Sequence, residues 1–253
     1  HERVLEDNLK SLGVSADDWF VCAHAREHGF WTDVIGANRD TYRPEVSDHR
    51  NVDIRTYYPA FDYITSKGGK VIRMGDRSMT PIKDMDGGVA YPFTEHWSMV
   101  MDLYLLSRCR FLLGCSSGIS AFGLTFGVPT LITNHTEPSE SAFQGYDNFL
   151  FMFKHMIEES SHRPLGLEEI FRPRTYAGDN AQKLEELGYR WESNDSTDIL
   201  EATKEMLELV ESDSFDGPMT KEQEQFHHLR LNQLESLSMS DEFSGMHRDR
   251  ISV

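Results

Sequence analysis

The sequence predicts an α/β protein built on a doubly wound parallel sheet, and three observations lead to this class. The first is the segment Phe111 to Asn134, in which an apolar run ends at a Gly/Ser turn and apolar residues then recur at helical spacing before another apolar run. The second is the buried-strand pattern of Trp19 to Ala25. The third is Lys70 to Asp76, where an apolar strand again ends at a glycine. Right-handed crossovers between parallel strands would place their carboxyl ends at one edge of the sheet.

The elements around these strands follow from apolar spacing and from stop signals. Each predicted helix carries apolar residues three or four positions apart and ends near a glycine or a strand. In chain order we predict a helix over 1–12, a helix over 56–67 with Pro59 in its first turn, a strand over 70–75, a short strand over 89–91, a helix over 99–108 and a helix over 119–126. The polar segment Phe30 to Asp48 is predicted to be a long loop, either a lid or acceptor-binding loop or a plain surface loop.

The second half of the chain is predicted to be mostly helical. A short helix is expected around Leu167 to Phe171, and Asp195 or Ser196 is a candidate N-cap for a longer amphipathic helix. Thr220 and Gln223 form a capping-box pattern. We therefore expect a Rossmann-like domain over residues 1–175, with a helical segment over 176–253 that packs on it.

Composition narrows the classes of function. The chain has 253 residues and a formal net charge of −17 without a basic stripe, which argues against nucleic-acid binding. It has no apolar run long enough to span a bilayer, and its three cysteines lie in or beside apolar strands, as buried reduced thiols do. We expect a cytoplasmic protein, with a peripheral position at the inner membrane face left open.

Polar residues and glycines follow the three predicted strands, at the edge where open α/β sheets bind ligands. In chain order they are His24, Arg26, Glu27, Arg73, Gly75, Asp76, Ser116, Ser117 and Gly118. A Gly/Ser turn that begins a helix offers backbone N–H groups to a phosphate, and the guanidinium group matches phosphate geometry. The residues therefore predict a phosphorylated ligand. The alternatives are that the serines only cap the helix and that Arg73 forms a structural pair with Asp76 or Asp53.

Four pieces of the chain together resemble a bacterial family of glycosyltransferases associated with surface-polysaccharide synthesis. These pieces are CAHAREHGF, HRNVDIRTYYPAFDYITSKGGKVIRMGD, MDLYLLSRCRFLLGCSSGISAFGLTFGVPTLITN and RPLGLEEIF. More distantly, His24-x-Arg26 is similar to the signature of GT-B fucosyltransferase-like enzymes, in which the arginine meets the donor diphosphate. Glu27 stands where a second basic residue often follows in that signature.

The resemblance implies a GT-B type glycosyltransferase, inverting or retaining, that moves a sugar from a nucleotide diphosphate to a glycan or lipid-linked acceptor. It implies no metal and no cofactor besides the nucleotide-sugar substrate; the short pattern Asp84-Met85-Asp86 is then a chance match to a metal motif. A full enzyme of this type has two such halves and usually needs a longer chain. We therefore expect either mainly the donor-binding half or a second half supplied by insertions and the terminal segments. The alternatives are a non-catalytic nucleotide- or glycan-binding half that a partner completes, or another polysaccharide-modifying transferase; an oligomer is also left open.

The resemblance and the residues together suggest roles for the strand-end side chains. Donor binding is expected of Arg26, Arg73, Gly75, Ser116, Ser117 and Gly118. His24 titrates near neutrality and is the first candidate for the catalytic proton acceptor, with a structural hydrogen bond as the alternative. Glu27 and Asp76 follow as catalytic candidates, and Asp33 and Asp53 are the competing carboxylates.

Overall fold

The computed structural model describes residues 2–29, 48–136, 148–171, 181–215 and 220–229, without 222 and 227 in the last range. Its helices are α1 (Glu2–Ser11), α2 (Tyr58–Ser66), α3 (Met99–Arg108), α4 (Gly118–Thr125), α5 (Leu167–Ile170), α6 (Ala181–Glu186) and α7 (Ser196–Ser212). Its strands are β1 (Phe20–Ala23), β2 (Lys70–Arg73), β3 (Gly88–Val89), β4 (Leu112–Cys115), β5 (Thr130–His135), β6 (Phe149–Phe153), β7 (His155–Glu158), β8 (Arg163–Pro164) and β9 (Tyr189–Glu192).

Six of the strands form one parallel sheet in the order β3-β2-β1-β4-β5-β6. This is the strand order of a doubly wound, Rossmann-like sheet, so the predicted fold class is confirmed. The chain leaves β1 toward one edge of the sheet and returns to place β4 on the other side of β1. A crevice therefore opens at the carboxyl ends of β1 and β4, which is where such sheets bind ligands.

Helices cover both faces of this sheet. Its central strands are therefore buried on both sides, and their sequences are continuous apolar runs. Successive strand residues point to opposite faces. Val21 and Ala23 pack with α2 and α7 on one face, while Phe20 and Cys22 pack with α3 and the apolar side of α1 on the other. All residues of β1 and β4 are buried.

The predicted helix boundaries are close to those observed, because the local signals act as expected. Pro59 lies in the first turn of α2, and a 3₁₀ turn over Ile54–Tyr57 leads into it. Asp195 is the N-cap of α7 and accepts hydrogen bonds from the backbone of Thr197 and Asp198. The predicted capping box is also present, with distances of 2.8 Å from Thr220 N to Gln223 Oε1 and 3.2 Å from Gln223 N to Thr220 Oγ.

A buried pair of asparagines ties the start of α7 to the sheet. Asn134 N donates to Asn194 Oδ1 at 2.7 Å, and Asn194 N donates to Asn134 Oδ1 at 2.9 Å. Asn134 has a φ of 54°, a left-handed conformation that asparagine adopts more readily than most residues. The register between β5 and β6 shifts at this point. The α7 helix is thereby anchored at the carboxyl end of β5.

The second half of the chain contains strands that the helical prediction did not include. Besides β6, this half contains a three-stranded antiparallel sheet in the order β8-β7-β9. Its strands β7 and β9 come from opposite sides of residue 175, where we expected the helical segment to begin. The missed strands β7, β8 and β9 have two to four residues and mix apolar with polar or charged side chains, so they lack the continuous apolar run that marked the central strands. Strand β6, with the sequence FLFMF, does have such a run, so a signal for it was present.

Some sequence-based expectations fall outside the described residues. The predicted lid or acceptor-binding loop lies almost wholly in 30–47, and Asp33 lies there too. Among the helices that the structure does describe, none is both long and apolar enough to cross a bilayer.

Candidate functional site

The candidate site lies at the carboxyl ends of β1 and β4, the crevice defined by the strand order. His24 and Arg26 follow β1 directly, and Ser116 and Ser117 lead from β4 into α4. Two hydrogen bonds join these segments: His24 N donates to Leu113 O at 2.9 Å, and Arg26 N donates to Cys115 Sγ at 3.2 Å. The structure therefore brings together two predicted groups of residues that are about ninety positions apart in the chain.

His24 is buried and hydrogen-bonded through both ring nitrogens. Nδ1 is 3.3 Å from Met74 O, and Nε2 is 3.0 Å from Ser117 Oγ. Burial lowers the pKa of His24 to about 3, and the positive charges of Arg73 and Arg26 act in the same direction. The imidazole is therefore neutral at physiological pH, which makes it a weak proton acceptor.

This depressed pKa predicts a specific loss of stability in acid. His24 is neutral in both states above its ordinary pKa of about 6.5, so it adds no pH dependence there. Between pH 6.5 and 3, the unfolded chain takes up a proton that the folded chain excludes. The free energy of unfolding should then fall by up to about 1.4 kcal/mol per pH unit. Urea unfolding at pH 7 and pH 5 measures this slope.

A matched pair of variants isolates the contribution of His24. Between pH 7 and pH 5, His24→Asn should lose up to about 2 kcal/mol less free energy of unfolding than the wild type does, whatever the variant's stability at pH 7. The control is His162→Asn, at an exposed position whose φ of 54° asparagine tolerates. If the free energy of unfolding depended on pH equally in both variants, the depressed pKa of His24 would be contradicted.

Three basic side chains, Arg26, Arg50 and Lys154, gather beside this histidine around Asn51. Arg26 Nη1 donates to Asn51 Oδ1, and Lys154 Nζ donates to Asn51 O at 3.0 Å. Arg50 Nη2 donates to Ser116 O at 3.3 Å, which connects the cluster to the turn before α4. Burial lowers the pKa of Lys154 to about 8, and Arg26 adds to this lowering. These three positive charges form what we call the basic cluster.

Sequence reasoning found only one member of the basic cluster, Arg26. Arg50 and Asn51 lie within the second of the resemblance pieces, so a signal for them was present. Lys154 directly follows β6 and also donates to Ser193 Oγ at 3.0 Å. It could have been recognised as a polar residue at a strand end, but β6 itself was not predicted.

Arg73 and Glu27 form an ion pair that joins the loops after β1 and β2. Arg73 is 1% exposed, and its Nη2 lies 3.2 Å from Glu27 Oε1. Its guanidinium also donates to Ala25 O at 3.0 Å and Met74 O at 2.8 Å. Glu27 accepts further hydrogen bonds from the amide and hydroxyl of Thr80. Arg73 is thus part of a structural ion pair, with Glu27 as its partner and not Asp76 or Asp53.

The two other pairing candidates, Asp76 and Asp53, bond elsewhere. Asp53 pairs with Arg55 at 2.6 Å on the surface. Asp76 Oδ1 accepts from Ser78 N at 2.8 Å and from the Ser78 hydroxyl, whereas its buried Oδ2 has no hydrogen-bond partner among the described residues. An unpartnered buried carboxylate oxygen is costly, so it is a natural acceptor for a ligand hydroxyl.

The two glycines predicted at the site differ in what surrounds them. Gly75 has a φ of 137°, and a Cβ there would lie 2.3 Å from Met79 Sδ, so backbone conformation and packing both require glycine. A Cβ at Gly118, the first residue of α4, would meet no atom of the described residues within 4 Å, and Gly118 is exposed.

The serines of the turn do not act as ordinary helix caps. Ser117 occupies the N-cap position of α4 without a side-chain capping hydrogen bond, since its hydroxyl contacts His24 instead. Ser116 Oγ lies 2.8 Å from His135 Nδ1. The Ser117 side chain therefore does not cap the first amides of α4, which lie at the positive end of the helix dipole.

The short acidic pattern Asp84-Met85-Asp86 is the match to a metal motif noted in the sequence. Asp84 and Asp86 lie in the loop before β3, away from the strand ends described above. Within the described ranges, no three His, Cys, Asp or Glu side chains are grouped so that they could hold a metal ion.

Comparison with known proteins adds distant structural similarities. No family model matches the sequence, and no curated protein matches it. Among solved structures, the chain is similar to the glycosyl transferase family 9 protein from Veillonella parvula DSM 2008, with 13% identity and a TM-score of 0.47, over 81% of this chain and 50% of that chain. It is also similar to the wall teichoic acid polymerase TagF, with 8% identity and a TM-score of 0.35, over 93% of this chain and 49% of that one. The chain spans about half the length of each.

Proposed function

We propose that this chain is the donor-binding half of a glycosyltransferase and that it holds a nucleoside diphosphate sugar at the carboxyl ends of β1 and β4. One observation carries the proposal. The basic cluster stands beside the amino end of α4 in a protein whose formal net charge is −17. Positive charges concentrated in a crevice of an otherwise acidic protein favour a polyanionic ligand there. The resemblance of the sequence to surface-polysaccharide glycosyltransferases supports a sugar nucleotide as that ligand.

In this proposal, the basic cluster serves both binding and chemistry. When the sugar leaves the nucleotide, negative charge accumulates on the diphosphate, and fixed cations with helix amides stabilise that charge. Arg26 and Arg50 can each make two contacts with a phosphate through the guanidinium fork. Lys154, whose pKa of about 8 lies close to neutrality, would hold its proton more firmly once an anion is bound.

The proton of the acceptor hydroxyl needs a different group from His24. With a pKa of about 3 and both ring nitrogens occupied, His24 is poorly suited to accept it at neutral pH. Glu27 is engaged by Arg73 and Thr80. We therefore assign proton acceptance to Asp76, whose Oδ2 has no partner in the part of the chain that the structure describes. His24 keeps a positioning role through Ser117.

Calorimetric titration with a panel of sugar nucleotides tests the proposal. The panel contains GDP-, UDP-, dTDP- and CMP-sugars, and phosphoenolpyruvate stands for the alternative of a different polysaccharide-modifying transferase. We expect at least one nucleoside diphosphate sugar to bind, and phosphoenolpyruvate to bind less tightly because it presents a single phosphate to the basic cluster. Absence of binding by every sugar nucleotide at millimolar concentration would refute the proposal.

A substitution at Gly118 should block this ligand while sparing the fold. Gly118→Val places its side chain in open space, so the melting temperature should stay within a few degrees of the wild-type value. If a phosphate lies against the first amides of α4, the same side chain should weaken donor binding at least about tenfold, since it prevents close approach.

The control for this variant lies in the same helix. At Gly123 a Cβ would come within 2.8 Å of both Leu112 and Thr130, so Gly123→Val should lower the melting temperature through overpacking. Normal donor affinity in a folded Gly118→Val protein would remove the turn from the phosphate site.

A further inference from the structure

The hydrogen bonds of His24 determine which way the Ser117 hydroxyl points. Met74 O can only accept a hydrogen bond, so the ring nitrogen facing it at 3.3 Å, Nδ1, must carry the proton. In a neutral imidazole the other nitrogen, Nε2, then presents a lone pair. Ser117 Oγ lies 3.0 Å from Nε2, and its hydroxyl must donate there. The opposite tautomer would set two lone pairs against each other at Met74.

The surroundings of His24 keep this arrangement in place. The ring is buried, and the guanidinium groups of Arg73 and Arg26 are close enough to oppose a second proton. Arg73 also donates to the same carbonyl, Met74 O, at 2.8 Å, which holds that acceptor in position. A hydroxyl that has given its hydrogen to His24 has only oxygen lone pairs left for a ligand.

We infer that Ser117 Oγ acts as a hydrogen-bond acceptor for a hydroxyl group of the ligand, and not as a donor to a phosphate. An ionised phosphate oxygen placed against the lone pairs of Ser117 would be repelled, while a ligand hydroxyl can donate to them. An ammonium group is disfavoured at the same place because Arg26 and Arg73 carry positive charge nearby. The basic cluster and the amides of α4 bind the diphosphate, and Ser117 contacts the hydroxyl-bearing part of the ligand that is attached to it.

This inference rests on the proposed function for the identity of the ligand and makes Ser117 a specificity-determining residue. A hydroxyl could belong to the transferred sugar or to the ribose of the nucleotide, and the chemistry at Ser117 is the same for both. Ser117 is partly buried, and a bound ligand that covers its lone pairs without donating to them leaves the hydroxyl without its hydrogen bond from water. Such a site therefore discriminates against a ligand that lacks the donor. Deoxy analogues can therefore tell the two sources apart.

The first test measures affinities of wild type and Ser117→Ala for a sugar nucleotide, its nucleoside diphosphate, the 2′,3′-dideoxy nucleoside diphosphate and inorganic pyrophosphate. The inference expects Ser117→Ala to weaken the sugar nucleotide about three- to tenfold and to leave pyrophosphate unchanged. A loss confined to the sugar nucleotide assigns the hydroxyl to the sugar. A loss that extends to the nucleoside diphosphate but not to its dideoxy form assigns it to the ribose. Ser117→Thr, which keeps a hydroxyl, should restore affinity.

An equal loss for pyrophosphate and sugar nucleotide would overturn the inference, because Ser117 would then contact phosphate. A second test needs no ligand: ¹⁵N chemical shifts of the His24 ring in the free protein should show a protonated Nδ1 and an unprotonated Nε2 at pH 7. Protonation at Nε2 would also overturn the inference. If the wild type binds none of the four ligands, the proposed function fails and the ligand assignment fails with it, whereas the ¹⁵N result still decides the orientation of Ser117.

Discussion

Replacing Glu27 with leucine is expected to destabilise the fold by about 3 kcal/mol or more, the largest effect that we predict for one side chain. The substitution would leave the guanidinium of Arg73, which is 1% exposed, without its carboxylate. Removing one partner of a buried ion pair leaves an uncompensated charge in a medium of low dielectric constant. The two hydrogen bonds that Thr80 gives to Glu27 would be lost as well. Urea unfolding at pH 7 measures the change.

The control for this prediction is an arginine–glutamate pair on the surface. Glu192 lies 2.8 Å from Arg190, but its side chain is 55% exposed, so Glu192→Leu should cost less than about 1 kcal/mol. The double variant Glu27→Leu/Arg73→Met removes both charges and should recover part of the stability. A loss of similar size in Glu27→Leu and Glu192→Leu would contradict the structural role that we assign to Glu27.

Replacing Arg26 with alanine is expected to weaken binding of a nucleoside diphosphate by about 1.5 to 3 kcal/mol, which corresponds to roughly ten- to 150-fold in the dissociation constant. The reason is the loss of a charged hydrogen-bond donor to phosphate within the basic cluster. Arg26→Lys should recover only part of the affinity, because a single ammonium group cannot reproduce the two contacts of the guanidinium fork. Calorimetric titration gives the affinities.

A neighbouring arginine provides the comparison for Arg26→Ala. Arg55 belongs to the same stretch of chain as Arg50, but its side chain is 75% exposed and pairs with Asp53. Arg55→Ala should therefore change donor affinity by less than about twofold. Arg26 also donates to Asn51, so the melting temperature of Arg26→Ala has to be recorded alongside its affinity. Wild-type affinity in a folded Arg26→Ala protein would exclude Arg26 from the site.

Much of the main sheet could be predicted from local signals. The strands β1, β2, β4 and β5 are apolar runs with a glycine or a polar turn at their ends, and the helices between them show 3.6-residue spacing. Among the strands of the second half, the edge strand β6 has the apolar sequence FLFMF and could have been recognised in the same way. The others could not, because β8 has two residues, and β7 and β9 mix apolar with polar or charged residues over four positions.

The candidate site was predictable where its residues follow a recognisable strand and not elsewhere. His24, Arg26, Ser116 and Ser117 were found because strand ends of an open α/β sheet converge. The basic cluster needed more, because Lys154 joins Asn51 across about a hundred residues through tertiary contacts alone. Arg73 pairs with Glu27 and not with Asp76 or Asp53. This choice likewise depends on tertiary structure, because it is decided by which loop lies above the end of β2.

The sequence by itself determined the fold class and which residues stand at the ends of the central strands, since hydrophobic periodicity and turn residues are properties of the local chain. Only the tertiary structure decided what those residues do to one another. Burial and two nearby arginines lower the pKa of His24, and the carbonyl of Met74, directly after β2, orients its ring and, through it, Ser117. Desolvation and hydrogen-bond direction depend on the distances between segments far apart in the chain, and these distances exist only after the sheet has assembled.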